Sequence, residues 1–289
     1  NKDSSVTNWR RKLTLVSLVS AISLALSGCT PEVQRGFLPD SAGVTNHTDR
    51  IIGLWTTSWI VLLLVGVVAW GLMAWALIVY RRRKGETSIP VQFRYNMPIE
   101  ALFTAVPLIL VLGFFAFTAR DTAAIEAKIE NPDVHISVIA KQWSWDFNYV
   151  DANVYDSGIQ AQFTGDEENI METLPTLYLP VGKSVQIDLS SRDVIHSFWV
   201  VEFLYKKDMF PAMTNRMYFT PLKEGTYVGK CAELCGEYHS MMLFNVKVVS
   251  PQEYESHLAS LAAKGNIGQL DNTYDRNQNL PGGDPGIRN

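Results

Sequence analysis

The sequence predicts a membrane α plus all-β protein, in which a two-helix transmembrane hairpin precedes an external β-sandwich. Two long uncharged runs lie in the first 120 residues, and short β-branched and aromatic runs separated by turn residues follow them. The charge also changes sign: residues 1–119 carry 11 basic and 6 acidic residues, whereas residues 120–289 carry 14 and 23. This asymmetry indicates a membrane part followed by an acidic soluble part, which repels nucleic acid and attracts basic partners.

Residues 1–28 have the parts of a secretory signal peptide. Three basic residues, 10–12, precede a short apolar core at 13–26, and small residues then lead to Cys29. This order is similar to the lipobox of bacterial lipoproteins, in which the cysteine is lipidated and the chain is cut just before it. The alternative is a signal anchor with a chance cysteine. We expect lipidation at Cys29 and an external segment at residues 29–50.

Residues 51–120 predict the transmembrane hairpin. The run 51–80 has 30 residues without a charge, more than the roughly 20 that a helical span needs. Four consecutive cations follow at 81–84 and hold that end in the cytoplasm. Residues 81–98 therefore form a cytoplasmic loop, and the second uncharged run, 101–119, returns the chain to the external side.

Residues 121–250 predict the external sandwich. Strand patterns lie at 134–149, twice within 176–200, twice within 216–236 and once at 242–250, and the turn residues between them favour an antiparallel arrangement. The tail, residues 251–289, begins with a short helix to about Ala263, and its Gly, Asn and Pro content then predicts disorder. Three histidines are predicted to be ordinary surface residues: His47, His135 and His257.

The stretch "CAELCGEYHSMM" concentrates possible metal donors in a chain that has only three cysteines. Cys231 and Cys235 would form a disulfide in an oxidising compartment, but a disulfide needs neither His239 nor Met242. Zinc accepts two thiolates and two imidazoles, with His196 as the second imidazole, and leaves the thioether unused. Thiolate, imidazole and thioether together are typical of copper electron-transfer sites. A pair of cysteines favours two bridged copper ions, with the disulfide and zinc as alternatives.

Four pieces of the sequence resemble the cytochrome c oxidase subunit II family over residues 45–250: "PIEALFTAVPLIL", "KQWSWDFNY", "DVIHSFWV" and "CAELCGEYHSMM". The resemblance implies a cupredoxin-like Greek-key sandwich carrying a dinuclear copper A centre. It implies six donor residues: His196, Cys231, Glu233, Cys235, His239 and Met242. In the family the cysteines bridge the two ions, each histidine binds one, and the methionine is a weak axial ligand. Glu233 matches the residue that binds through its backbone carbonyl and whose side chain reaches a magnesium ion shared with subunit I.

The resemblance also implies roles outside the copper centre. Trp143 matches the exposed indole where electrons enter from cytochrome c, either soluble or membrane-tethered, while Trp145 and Tyr149 pack beneath it. Glu100 matches a carboxylate at the entrance of a proton path into subunit I; on the residues alone it is an interfacial carboxylate at a helix N-terminus. The family implies subunits I and III as partners, haem only in the partner subunit, and membership of a respiratory supercomplex as an open possibility.

The function implied by the resemblance is that of the electron-accepting subunit of an oxidoreductase and translocase. Electrons pass from cytochrome c to copper A and on to haem in subunit I, where oxygen is reduced to water with proton pumping. Three rivals are a quinol oxidase subunit II, which lacks the copper ligands, a membrane-anchored copper-delivery protein, and a structural lipoprotein with a Cys231–Cys235 disulfide.

Overall fold

The computed structural model confirms the predicted fold class, two long apolar helices followed by a β-sandwich. The chain divides into one unit that ends at Asp40 and a second that begins at Ser41. Cys29, most of the predicted signal peptide and the acidic residues 166–168 lie outside the residues that the structure describes. The described residues are 16–17, 20, 30–31, 35–85, 87–89, 92–161 and 173–273.

Two helices form the hairpin, α1 over Thr48–Val79 and α2 over Met97–Ile125. Both are long and apolar enough to cross a membrane. Helix α2 begins after Asn96, whose side-chain oxygen accepts a hydrogen bond from the backbone N–H of Ile99. This cap satisfies one of the N–H groups that the first turn of a helix leaves without an internal partner.

Within the described residues, ten strands build the sandwich and a further helix follows them. The strands are β1 (Val134–Lys141), β2 (Ser144–Tyr149), β3 (Val154–Ser157), β4 (Thr176–Pro180), β5 (Val185–Ser191), β6 (His196–Val200), β7 (Tyr205–Met209), β8 (Asn215–Phe219), β9 (Gly225–Cys231) and β10 (Leu243–Val249); the helix is α3 (Pro251–Ala263). One sheet has the order β3-β2-β1-β5-β8 and the other β4-β10-β9-β6-β7. The sequence prediction of two strands within 176–200 is wrong, because the structure has three there.

The sheets are mixed, so the predicted antiparallel arrangement is only partly correct. Strands β1 and β5 pair in parallel, as do β4 and β10, while the other pairings are antiparallel. Parallel neighbours cannot be joined by a tight hairpin and need a crossover. Here the chain crosses to the opposite sheet between them: β4 lies between β1 and β5 in sequence and belongs to the second sheet.

An aromatic stack fills the core between the sheets next to the Cys/His end. The Trp145 and Phe244 rings lie 4.8 Å apart, and Phe198 stacks on Phe244 at 4.9 Å. All three side chains are buried, which confirms the packing prediction for Trp145. Strand β9 passes so close to this stack that a Cβ on Gly229 would lie 2.2 Å from the Phe244 ring. Glycine at this position therefore lets the backbone and the ring approach each other.

Polar contacts attach the hairpin to the sandwich at the start of α1. His47 is 8% exposed, and its Nε2 lies 2.9 Å from the carbonyl oxygen of Tyr218. Asn46 and Thr220 exchange hydrogen bonds, since each backbone N–H is donated to the other residue. The prediction of His47 as a surface residue is wrong, because its imidazole fills this junction.

The tail is ordered beyond the predicted end of its helix. Helix α3 is capped by Ser250, whose hydroxyl accepts from the N–H of Glu253. Asn148 and Leu270 exchange side-chain-to-backbone hydrogen bonds, and Leu270 is 3% exposed. The predicted disorder is therefore wrong for residues 264–273, and the remainder of the tail lies outside the described residues.

His257 is also not an ordinary surface residue, and His135 has a carboxylate partner. His257 stacks on Tyr178 with ring centroids 3.7 Å apart, and burial lowers the pKa of its imidazole to about 4. His135 is partly buried and places Nε2 3.1 Å from the Asp188 carboxylate. The prediction for His257 is wrong because its partner Tyr178 comes from a strand distant in sequence, whereas His135 stays partly exposed on the surface of its sheet.

Candidate metal centre

The side chains of the candidate site meet at one end of the sandwich because two neighbouring strands begin and end there. His196 opens β6 and Cys231 closes β9. In the antiparallel ladder Phe198 lies opposite Cys231, and His196, two residues away, shares the face of Phe198. The loop after β9 then brings Cys235 back beside Cys231.

The two cysteines are buried free thiols. Their Sγ atoms lie 3.8 Å apart, far beyond the roughly 2.05 Å of a disulfide bond. The S–S separation is also shorter than twice a metal–thiolate bond of about 2.3 Å. An ion placed beside the line that joins the sulfurs can therefore contact both.

Imidazole, thioether and carbonyl donors surround the two sulfurs. His196 Nδ1 lies 3.7 Å from Cys231 Sγ, and the carbonyl oxygen of Glu233 lies 3.1 Å from the same sulfur. On the other side, His239 Nδ1 is 3.5 Å from Cys235 Sγ, and Met242 Sδ is 3.8 Å from it. Tetrahedral ligands at about 2.0–2.3 Å from a metal lie roughly 3.3–3.8 Å apart. The sulfur, nitrogen and thioether donors thus have the spacing of a coordination sphere.

The contact between the two sulfurs favours the loss of one of their two protons. Hydrogen bonding from Cys235 lowers the pKa of Cys231, assisted by His196, and the same contact raises the pKa of Cys235. These opposite shifts favour a thiolate on Cys231 and leave one proton shared between the two sulfurs. A metal cation would replace this shared proton, because metal binding requires deprotonated sulfur.

A carboxylate orients the buried histidine. His196 places Nε2 2.8 Å from Asp193 Oδ1, where the ring N–H donates to the carboxylate, and Nδ1 faces Cys231 Sγ at 3.7 Å. Burial acts to lower the pKa of His196, but the bonds to Asp193 and Cys231 outweigh it and raise the pKa. A carboxylate on the second nitrogen fixes the tautomer of a metal-binding histidine and increases its basicity. Asp193 is not among the predicted site residues, although its place three residues before His196 in "DVIH" was available as a signal.

The turn between β1 and β2 touches the site from outside. The indole N–H of Trp143 donates to the carbonyl of Cys235 at 3.2 Å, and the side-chain amide of Gln142 donates to the same oxygen at 2.7 Å. Trp143 is half-buried and meets Tyr238 edge to face at 4.9 Å. A single hydrogen bond therefore connects the Trp143 side chain to the backbone of the candidate ligand Cys235. Gln142 was not predicted from the sequence to contact the site.

Glu100 is distant from this cluster, in the first turn of α2. Its carboxylate accepts a hydrogen bond from the backbone N–H of Asn96 at 2.9 Å. With the reciprocal bond that Asn96 Oδ1 accepts from the backbone N–H of Ile99, this contact forms a helix cap of the capping-box kind. The geometry is that of an interfacial carboxylate at a helix N-terminus.

Comparisons with known proteins agree with this arrangement. The sequence model of the family described as cytochrome c oxidase subunit II, periplasmic domain, matches residues 134–249. The protein named probable cytochrome c oxidase subunit 2 of Streptomyces avermitilis is 44% identical over 292 residues, with 90% of each chain covered. The chain belongs to the cytochrome c oxidase subunit II family. Its membership implies a copper A centre, and the described Cys/His cluster could bind metal.

Further relatives show the same family name. Cytochrome c oxidase subunit 2 of Mycobacterium bovis is 32% identical, with 86% of this chain and 81% of the relative covered. Among solved structures, the periplasmic domain of subunit II of cytochrome oxidase of Bradyrhizobium japonicum is 28% identical with a TM-score of 0.44, and it covers 47% of this chain and 99% of that domain. As a subunit II, this chain is part of an oxidoreductase with partner subunits, and its two helices anchor an external copper domain in the membrane.

Proposed function

We propose that this chain receives electrons from cytochrome c at a dinuclear copper A centre and passes them to haem in subunit I. There oxygen is reduced to water with proton pumping. The observation that carries the proposal is the donor arrangement: two free thiols 3.8 Å apart with separate further donors beside each sulfur. Because each sulfur has its own further donors, the arrangement supports two ions that share the sulfurs. The proposed ligands are His196, Cys231, Glu233 through its carbonyl, Cys235, His239 and Met242.

Copper held by the thiolates of Cys231 and Cys235 would supply electron transfer without bond chemistry at the metal. The protein's own residues keep that site rigid and dry. Asp193 holds the His196 ring, and the stack of Trp145, Phe198 and Phe244 closes the buried side. Burial of Cys231 and Cys235 at 5% and 3% exposure keeps water from the sulfurs.

We infer that electrons enter at Trp143. Its ring is half-buried, so one edge is available to a donor, while its N–H contacts the Cys235 carbonyl. The excess of acidic residues after residue 120 favours a basic donor such as cytochrome c, because complementary charge accelerates encounter.

The test replaces Trp143 by phenylalanine in the purified oxidase and follows reduction of the metal centre after rapid mixing with reduced cytochrome c. We expect slower reduction with unchanged copper content, because the indole contact is lost and the ligands remain. Trp199→Phe is the matched control, since Trp199 packs against Lys230 at 4.6 Å on the face of β6 opposite to that of His196 and Phe198. Equal reduction rates in the two variants would remove Trp143 from the route.

Four further assignments belong to this proposal. Glu100 lies at the cytoplasmic end of α2, where the family's proton path into subunit I begins. The exposed Glu233 side chain is available for a magnesium ion shared with that subunit. Cys29 carries a lipid after cleavage of residues 1–28, which places both termini outside. Subunit III and a respiratory supercomplex complete the proposed partners.

A further inference from the structure

Two arginines mark the external boundary of the membrane in this hairpin. The first uncharged run begins directly after Arg50, and the second ends directly before Arg120. The shorter run has 19 residues and spans about 28 Å as a helix, close to the roughly 30 Å of a bilayer's hydrocarbon core. Both guanidinium groups therefore lie at the depth of the lipid headgroups on the external side.

One carboxylate holds the two arginines together. Arg50 Nη1 lies 2.9 Å from Asp121 Oδ1, and Arg120 donates to the same oxygen from Nε at 3.1 Å and Nη2 at 3.0 Å. The Asp121 side chain is 6% exposed, whereas those of Arg50 and Arg120 are 43% and 63% exposed. The cluster therefore has one excess positive charge. Each guanidinium has five N–H donors, so both can bind a further anionic acceptor.

An apolar groove continues from this cluster towards the membrane interior. The cavity between α1 and α2 at this end of the hairpin measures about 480 Å³. Below the arginines it is lined by Gly53, Leu54, Phe114 and Phe117, together with Thr57 and Ser58. A Cβ on Gly53 would meet nothing within 4 Å, so the missing side chain leaves the groove open. A cationic rim above an apolar slot is complementary to an amphiphile with an anionic head.

We propose that this groove binds an anionic phospholipid of the external leaflet. Its phosphodiester contacts the guanidinium groups of Arg50 and Arg120, which match phosphate oxygens in a bidentate manner. One acyl chain lies along Gly53 and Phe117. Charge complementarity and depth select this occupant: inorganic phosphate has no chain for the groove, and an apolar helix of another protein has no anion for the exposed guanidinium groups.

The experiment uses the assembled oxidase, purified and exchanged into nanodiscs that contain phosphatidylglycerol and phosphatidylcholine in equal amounts. Lipids that remain bound after brief delipidation are counted by mass spectrometry. We expect selective retention of phosphatidylglycerol, reduced about fivefold by Arg120→Gln. This variant keeps the Arg50–Asp121 pair. Gly53→Leu fills the groove and should reduce retention similarly.

Matched controls are Arg81→Gln, which removes a cation at the other membrane face, and Gly66→Leu, which adds a side chain at another open glycine of α1. Both should retain phosphatidylglycerol as the unmodified oxidase does. Equal retention of the two lipids, or no loss in Arg120→Gln, overturns the proposal. Displacement by millimolar inorganic phosphate with no effect of Gly53→Leu would indicate a simple phosphate site. Loss of subunit I from Gly53→Leu with phosphatidylglycerol still bound would indicate a protein interface; both results also overturn it.

Discussion

Replacement of Asp193 by asparagine should weaken copper binding through His196 without touching a ligand. Asp193 accepts three hydrogen bonds: Oδ1 from His196 Nε2 at 2.8 Å and from the Val194 N–H at 2.7 Å, and Oδ2 from the Gln142 N–H at 2.7 Å. An asparagine has one oxygen and one NH2 group, so in either orientation a donor would face another donor. The variant therefore loses charge and at least one hydrogen bond.

The magnitude follows from these contacts. A hydrogen bond to a charged group contributes about 1.5–3 kcal/mol, so the free energy of unfolding of the metal-free protein should fall by about 2 kcal/mol. Loss of the carboxylate that orients a metal-binding histidine lowers metal affinity about 10–100-fold, which corresponds to about 1.4–2.8 kcal/mol. The fall in copper affinity should therefore be detectable in addition to the fall in folding stability.

The assay is competition for copper between the full chain and a chelator of known affinity, with unfolding followed separately in denaturant. Asp188→Asn is the matched control, because Asp188 also pairs with a histidine, His135, on a sheet surface away from the thiols. We expect unchanged copper affinity in the control. Equal copper affinity in Asp193→Asn and Asp188→Asn would refute the role of the carboxylate.

Four more predictions concern separate parts of the molecule. Met242→Leu should keep both copper ions but shift the reduction potential, because a weak thioether ligand tunes the potential more than it holds the metal. Metal analysis measures the copper content and redox titration the potential; loss of copper would contradict the assignment. Glu100→Ala should slow oxygen turnover while copper reduction by the donor stays intact, and unchanged turnover would leave Glu100 as a helix cap alone. Asp146→Asn removes the carboxylate charge that faces buried Lys141 at 2.7 Å and buried Arg192 at 2.9 Å. The free energy of unfolding, measured in denaturant, should fall by about 3–5 kcal/mol, and a fall below about 1 kcal/mol would refute this reasoning. The unfolded chain protonates His257 near pH 6.5, whereas the folded chain does so only near pH 4. The free energy of unfolding should therefore fall as the pH drops through this window, and His257→Gln should reduce the slope of stability against pH. Identical slopes in the two proteins would exclude His257 as the cause.

The sequence was most informative where local spacing determines the structure. Donor side chains within twelve residues, next to the end of a strand, have few ways to fold other than around a common point. His196 joins them because it begins a strand that pairs with the strand ending at Cys231. The long uncharged runs likewise determine the hairpin, since each helix satisfies its own backbone hydrogen bonds in lipid.

Features that depend on distant partners were not predictable. The missed strands β3 and β7 are edge strands, and their sequences, "VYDS" and "YKKDM", are short or charged, as edges that avoid further pairing commonly are. The parallel pairs were missed because no local signal specifies which sheet a strand joins. His47 is buried by Tyr218, and that contact spans 171 positions of sequence.

The central claim is that the sulfurs of Cys231 and Cys235 jointly bind two copper ions. The direct measurement is electron paramagnetic resonance, with metal analysis, on the full chain purified without its partner subunits and loaded with copper. The account predicts two copper ions per chain and one unpaired electron whose hyperfine splitting is shared equally by both nuclei. A single-copper spectrum, or a disulfide between these two residues in the metal-loaded chain, would contradict it.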